Sequence, residues 1–151
     1  FISNSHWGYE VEDNAYALMR TADGIVGMLN SSATQWRHRF NLDINLAGGS
    51  IILGGILTGT KSYGAETLTV VTVDHDNDTG DPRERLTRYN RDPSWEEEIN
   101  RFADYILTDQ PVNGGSSLDA LNPMKLVYKI YHADPVWRKT YAIANPEERK
   151  P

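Results

Sequence analysis

What most constrains this chain is a run of alternating segments that doubles back at turn residues. Ala15-Tyr16-Ala17-Leu18-Met19-Arg20 leads to Asp23-Gly24, and an extended stretch follows from Ile25 to Gln35. Past Trp36-Arg37-His38-Arg39, the residues Phe40, Leu42, Ile44 and Leu46 alternate with Asn41, Asp43 and Asn45. Gly48-Gly49 then precedes Ser50-Ile51-Ile52-Leu53. Successive side chains of a strand point to opposite faces, and Asp-Gly and Gly-Gly tolerate the positive φ of tight hairpins. The pattern therefore predicts a large antiparallel sheet. One apolar and one polar face predict a sheet covered on one side only. Its polar face is then solvated, a ligand surface or an interface with another subunit.

Thr67 to Val73 is a further β-branched strand, and Leu86 to Tyr89 is a candidate for one more. Phe1 to Tyr9 shows no periodicity and reads as a connector or an edge, while Gly54, Gly55 and Gly59 make their stretch irregular. From Ser94 the period becomes helical. Ser94 and Glu97 form a capping-box signature, and Trp95, Ile99, Phe102 and Ile106 recur on one stripe. A second helix is predicted from near Ser116 to about Asp134, with Pro123 as either a kink or a restart capped by Asn122. Strands first and helices afterwards, without βαβ alternation, give an α+β fold. The expected architecture is an open, mostly antiparallel sheet with helices packed on one face, in a single domain over residues 1–151.

Fifteen basic against twenty-one acidic residues give a net charge of −6, with no basic stripe, which argues against a nucleic-acid partner. The absence of cysteine excludes disulfides, zinc-thiolate sites and thiol nucleophiles, and fits a cytoplasmic location. The apolar run Ile51 to Leu57 is too short to span a bilayer, so no membrane is expected as a partner. With Phe1 rather than Met as the first residue, the expectation is a start inside a longer reading frame.

Several motifs reduce to ordinary structure. Asp74-x-Asp76-x-Asp78 opens like a calcium loop, but Thr79 stands at its glycine position and Arg85 at its terminal glutamate position, so a solvated loop is the expectation. Asn113-Gly114-Gly115-Ser116-Ser117 lacks the strand and lysine of a phosphate loop and reads as a helix cap. Glu96 to Glu98 fall in the first turn of a helix, where its dipole favours negative charge, and no glycine-flanked serine nucleophile is present. Trp36, Arg37, His38 and Arg39 are different, because they lie at a junction between strands. An aromatic platform beside cationic hydrogen-bonding groups suits a polyol or sugar, and the competing reading is cross-strand packing or a subunit contact.

In this order and spacing, the chain resembles the C-terminal domain of the glucose–fructose oxidoreductase/inositol dehydrogenase/rhizopine catabolism (Gfo/Idh/MocA) family. The residues that carry the resemblance are Val11-Glu12-Asp13-Asn14-Ala15-Tyr16-Ala17-Leu18, Asp23-Gly24-Ile25-Val26-Gly27 and Gly48-Gly49-Ser50-Ile51. Trp95 through Phe102, Asn113 through Ala120 and Val127-Tyr128-Lys129-Ile130-Tyr131 complete the series. The resemblance implies a parent with a separate Rossmann domain for NAD or NADP, and hydride transfer between a sugar- or cyclitol-like alcohol carbon and the nicotinamide. It implies that this chain is the substrate-binding and oligomerisation domain, forming a homodimer or homotetramer through its sheet face. The family's Gly-x-Gly-x-x-Gly, Glu-Lys-Pro and Asp-x-x-x-His motifs have no match here, so neither a catalytic residue nor a cofactor contact is expected on this chain. His6 has no aspartate four residues before it. The strand junction carries over as Trp36, Arg37 and His38, candidate substrate contacts. The alternative is a stand-alone, non-enzymatic module that binds a partner or ligand on the open sheet face.

Overall fold

A computed structural model describes residues 1–58, 63–73 and 82–148. In chain order the elements are β1 (Ile2–Ser3), β2 (Asn14–Arg20), β3 (Val26–Ser32), β4 (Asn41–Leu46), β5 (Gly49–Gly54), β6 (Glu66–Thr72) and β7 (Arg83–Tyr89). They are followed by α1 (Ser94–Thr108), α2 (Ser117–Ala133) and α3 (Pro135–Thr140). The chain is α+β, and all its strand pairs are antiparallel. The strands form two ladders, β1-β2-β3 and β4-β5-β6-β7, rather than one large sheet. Each ladder runs one step past its assigned strands: the Ala33 amide donates to the Asp13 carbonyl at 2.8 Å, and the Gly55 amide donates to the Phe40 carbonyl at 2.9 Å. Two compact units result, one of Phe1–Gln35 with Asp109–Pro151, the other of Trp36–Thr108. The acidic loop around Asp74, Asp76 and Asp78 lies outside the described residues.

In the first unit, β2 and β3 pair from Asn14↔Ser32 to Arg20↔Val26, joined by a turn in which Gly24 takes a φ of 95°. Its core is Ile2, Ala15 and Trp137, with Ile130, Tyr131, Tyr141 and Ile143 packed around them. Trp137 is only 6% exposed, with its ring centroid 4.4 Å from that of Tyr141 and 6.0 Å from that of Tyr131. Two carboxylates hold the periphery. Asp13 is buried and accepts bonds from the amides of His6 (2.8 Å) and Trp7 (3.3 Å) and from the Asn14 side chain (2.8 Å), which fixes the loop before β2. Asp134 caps α3 by accepting from the amides of Val136 and Trp137, and it also accepts from the Ile2 amide at 3.1 Å, tying β1 to the helix start. An Asp followed by Pro135 at the first helical position is a strong helix start, so α3 carries a start signal that the hydrophobic periodicity alone does not register. Ser116 and Asp119 form the capping box of α2, which runs through Pro123 without a restart.

In the second unit the ladder registers are Leu42↔Leu53, Leu53↔Leu68 and Leu68↔Thr87 along one row, and Ile44↔Ile51, Ile51↔Val70 and Val70↔Arg85 along the next. Directly paired residues share a face, so these rows make one face apolar toward its β4 side. Asp43, Asn45, Ser50, Thr67 and Thr69 lie on the other. The β4–β5 turn is Ala47-Gly48, one residue earlier than the Gly48-Gly49 pair, and Gly49 serves a different purpose. With φ at 147°, it approaches β6 so closely that a Cβ there would lie 2.0 Å from the Val71 carbonyl oxygen. At the start of α1 the cap is Asp92, whose carboxylate accepts the Ser94 amide at 3.0 Å, while Ser94 itself is already helical. Trp95, Ile99, Phe102 and Ile106 form the expected stripe, and all four are exposed.

Replacing Trp137 by Ala is expected to destabilise the first unit by about 3–5 kcal/mol, the usual cost of truncating a buried ring. Replacing Trp36, fully exposed at 105%, should change stability by less than about 0.5 kcal/mol in urea unfolding.

The pH dependence follows from the same carboxylates. Burial pushes the Asp13 carboxyl up, but the Asn14 side chain and the His6 and Trp7 amides outweigh it and hold it below its ordinary value. The Trp137 amide leads the donors that depress Asp134. A carboxyl depressed in the fold stabilises it above the unfolded value of about 3.9, and that contribution disappears as pH falls through the lower folded value. The urea midpoint should therefore be flat from neutrality to about pH 5 and fall below about pH 4. An Asp13→Asn, Asp134→Asn variant should show a shallower acid limb.

Candidate functional site

The end of the four-stranded ladder away from the Ala47-Gly48 turn carries a concavity. Extending the registers by one step places Phe40, Gly55, Glu66 and Tyr89 in one row across the strands. The row sits on the same face as Leu42, Leu53 and Leu68, because alternation is unbroken along each strand. Gly55, between Phe40 and Glu66, has no side chain and takes a φ of 71°. A Cβ at that position would lie 2.1 Å from the Ala65 carbonyl oxygen and 3.1 Å from that of Tyr63. The gap is thus built into the backbone. The cavity it opens measures about 260 Å³ and is lined by Phe40, Leu53, Ile56, Glu66, Thr67 and Tyr89 around that glycine.

Its chemistry is two aromatic rings, two aliphatic side chains and one carboxylate. Glu66 is half-buried, and its Oε2 accepts the Leu57 amide at 2.9 Å, which pins the side chain against the chain that follows β5. Thr67 Oγ1 donates to the Gly54 carbonyl at 3.3 Å, on the face opposite Glu66. A ring of C–H groups can lie against the aromatic faces while its hydroxyls donate to the carboxylate, the usual division of labour in a small-molecule site.

Trp36, Arg37 and His38 belong to the same unit but do not line the cavity. Trp36 and Arg37 sit in an exposed bend. The His38 ring packs edge-on against Tyr63, with centroids 4.9 Å apart and planes at 63°. Since the Tyr63 carbonyl borders Gly55, His38 stands one residue removed from the cavity floor. The junction segment thus leads into the site through Phe40, its last aromatic residue.

Elsewhere in the first unit, Leu121, Met124, Tyr128, Ala144 and Pro146 line an apolar groove of about 280 Å³ with Lys125. Tyr131 is held well above the ordinary phenol range by burial and by the Glu12 carboxylate to which it donates. Among the described residues, no group of three or more His, Asp or Glu side chains is placed to hold a metal ion, and no helix is long and apolar enough to cross a membrane. Comparison with protein-family models, with curated proteins and with solved structures returned no match.

Gly55→Ala tests whether the backbone builds the cavity. The left-handed φ and the carbonyl contact together should cost at least about 2 kcal/mol and displace the Phe40 and Glu66 ends of the row. Urea unfolding measures the first effect, and the Phe40 and Tyr89 ring resonances report the second.

Proposed function

We propose that this chain is the substrate-binding and oligomerisation domain of a nicotinamide-dependent oxidoreductase acting on a sugar- or cyclitol-like alcohol. The observation that carries the reading is the row Phe40–Gly55–Glu66–Tyr89, which puts two rings and a carboxylate acceptor around a cavity of about 260 Å³. That is close to the lower end of small-ligand sites, roughly 300 Å³, and suits a single saturated ring. In this role the chain's residues bind and orient. Glu66 accepts from hydroxyls, Phe40 and Tyr89 cover the ring faces, and Trp36, Arg37 and His38 extend the contact from the strand junction. The series of motifs shared with the oxidoreductase family supports the same reading.

The cofactor, NAD or NADP, belongs in this reading to the parent's other domain, where it accepts or supplies the hydride. The residues described here do not fit it. Gly114-Gly115 links two helices in sequence, α1 and α2, rather than a strand to a helix, so it lacks the strand–turn–helix geometry that cradles a pyrophosphate. The oligomerisation role rests on apolar surface. Leu42, Ile44 and Leu46 on the ladder and the Trp95–Ile106 stripe of α1 are exposed in the single chain, the composition expected of faces that a second subunit covers.

The cavity's lining is supplied entirely by residues 40–89, and this favours one further reading, a stand-alone module that binds a polyol without catalysis. Calorimetric titration of the chain with myo-inositol and with glucose tests the binding claim common to both. Saturable binding is expected, weakened about tenfold by Tyr89→Ala or Phe40→Ala, since base or sugar stacking on one ring is worth about 1–1.5 kcal/mol. Binding unaffected by either substitution would remove the site. Saturable NADH binding by this chain would remove the assignment of the cofactor to another domain.

A further inference from the structure

We infer that the outer edge of β3 docks a second copy of this chain, the two β3 strands pairing antiparallel about Leu29. The three-stranded ladder of each copy then runs on into the other as one sheet. This edge belongs to the first unit and is separate from the ladder and helix faces of the second unit.

β3 is paired on one side only, with β2. The Ala33 amide donates to the Asp13 carbonyl at 2.8 Å and the Thr21 amide to the Ile25 carbonyl at 2.9 Å, which fixes the alternation along the pair. Gly27, Leu29 and Ser31 therefore turn their backbone groups toward β2. The N–H and C=O groups of Val26, Met28, Asn30 and Ser32 point outward.

Open edges are ordinarily protected against pairing by charge, proline, a bulge or shortness. Among the described residues the other edges have such protection. β1 is 2 residues long, and β2 beyond its bond with Phe1 carries Arg20. β4 contains Asp43, and β7 carries Arg83, Glu84, Arg85 and Arg88. β3 is 7 residues, Val26 to Ser32, without a charge, a proline or a break in register.

The strand's own sequence identifies the occupant. A strand paired antiparallel with its own copy is two-fold symmetric, so each contact is made twice. With the axis at Leu29, Val26 falls opposite Ser32 of the second copy and Met28 opposite its Asn30. Every outward residue of both copies is engaged, whereas an axis at Met28 or Asn30 leaves one end of the strand unpaired. Leu29 then meets Leu29 in a non-hydrogen-bonded pair, where Cα atoms stand about 4.5 Å apart and side chains are closest. On the other face the two Met28 side chains are diagonal neighbours, within reach of each other. Met28 is 84% exposed in the single chain, and Leu18, opposite it in β2, is 76% exposed. This apolar match on both faces of the seam favours a second copy over an unrelated peptide, which would share only the backbone bonds.

The chain has no cysteine, so a single introduced one reports the register. Leu29→Cys should form a covalent dimer on mild oxidation, because a non-hydrogen-bonded pair has the Cα separation that a disulfide needs. Ser31→Cys should not, since the two copies of that residue lie roughly 14 Å apart along the seam. Met28→Pro removes an outward N–H and no bond to β2, and Asn30→Lys puts a charge on the edge. Each should weaken dimerisation at least about tenfold in sedimentation equilibrium. No crosslink at residue 29, equal crosslinking at 29 and 31, or a dimer that neither substitution weakens would overturn the β3 pairing and leave association through the second unit standing. A monomeric chain would overturn both. The cysteine pair decides the question even where Met28→Pro fails to fold.

Discussion

The register of the four-stranded ladder is the constraint on which the site depends. Phe40, Gly55, Glu66 and Tyr89 are separated by long stretches of sequence, and only the antiparallel offsets bring them into one row. A slip of one residue at any pair would send that strand's side chains to the opposite face and remove its member from the row. Two glycines help to lock the offsets. Gly49 and Gly55 approach the β6 side so closely that any side chain at either position would meet a carbonyl oxygen at about 2 Å. The apolar rows Leu42–Leu53–Leu68 and Ile44–Ile51–Val70 favour the same alignment, since it sets aliphatic side chains directly opposite one another.

The two units are stabilised by different means. The first unit holds all the buried residues among those described, and its carboxylates at Asp13 and Asp134 each satisfy several donors while fastening a loop or a helix start. The second unit relies on ladder hydrogen bonds and a half-buried sheet face, with the α1 stripe exposed.

Much of the fold was legible in the sequence because local rules govern it. Alternation at Phe40–Leu46, the Asp23-Gly24 turn, the Ser116 cap and the helical stripe from Trp95 all act within a few residues and appear where their patterns place them. Ladder division was not legible, because which strands pair is set by contacts between residues far apart in sequence. The same reason hid most of the cavity. Phe40 reads as one more apolar residue of a strand, Glu66 as a strand's polar start and Tyr89 as its end. Gly55 reads as irregularity until its φ and its distance to Ala65 show why no other residue fits. Trp36, Arg37 and His38 announced themselves by composition, yet a composition signal marks chemistry and not convergence. Of the junction's aromatic residues, the one that reaches the cavity is Phe40.

The most direct test of the central claim, that the end of this ladder is a polyol site, is to map amide chemical-shift changes while myo-inositol is added to the labelled chain. The account predicts saturable shifts centred on Phe40, Gly55, Leu57, Glu66 and Tyr89, with smaller changes at His38 and Tyr63. Shifts centred on the Ala47-Gly48 end of the ladder or on the α2 groove, or no saturable shifts at all, would contradict it.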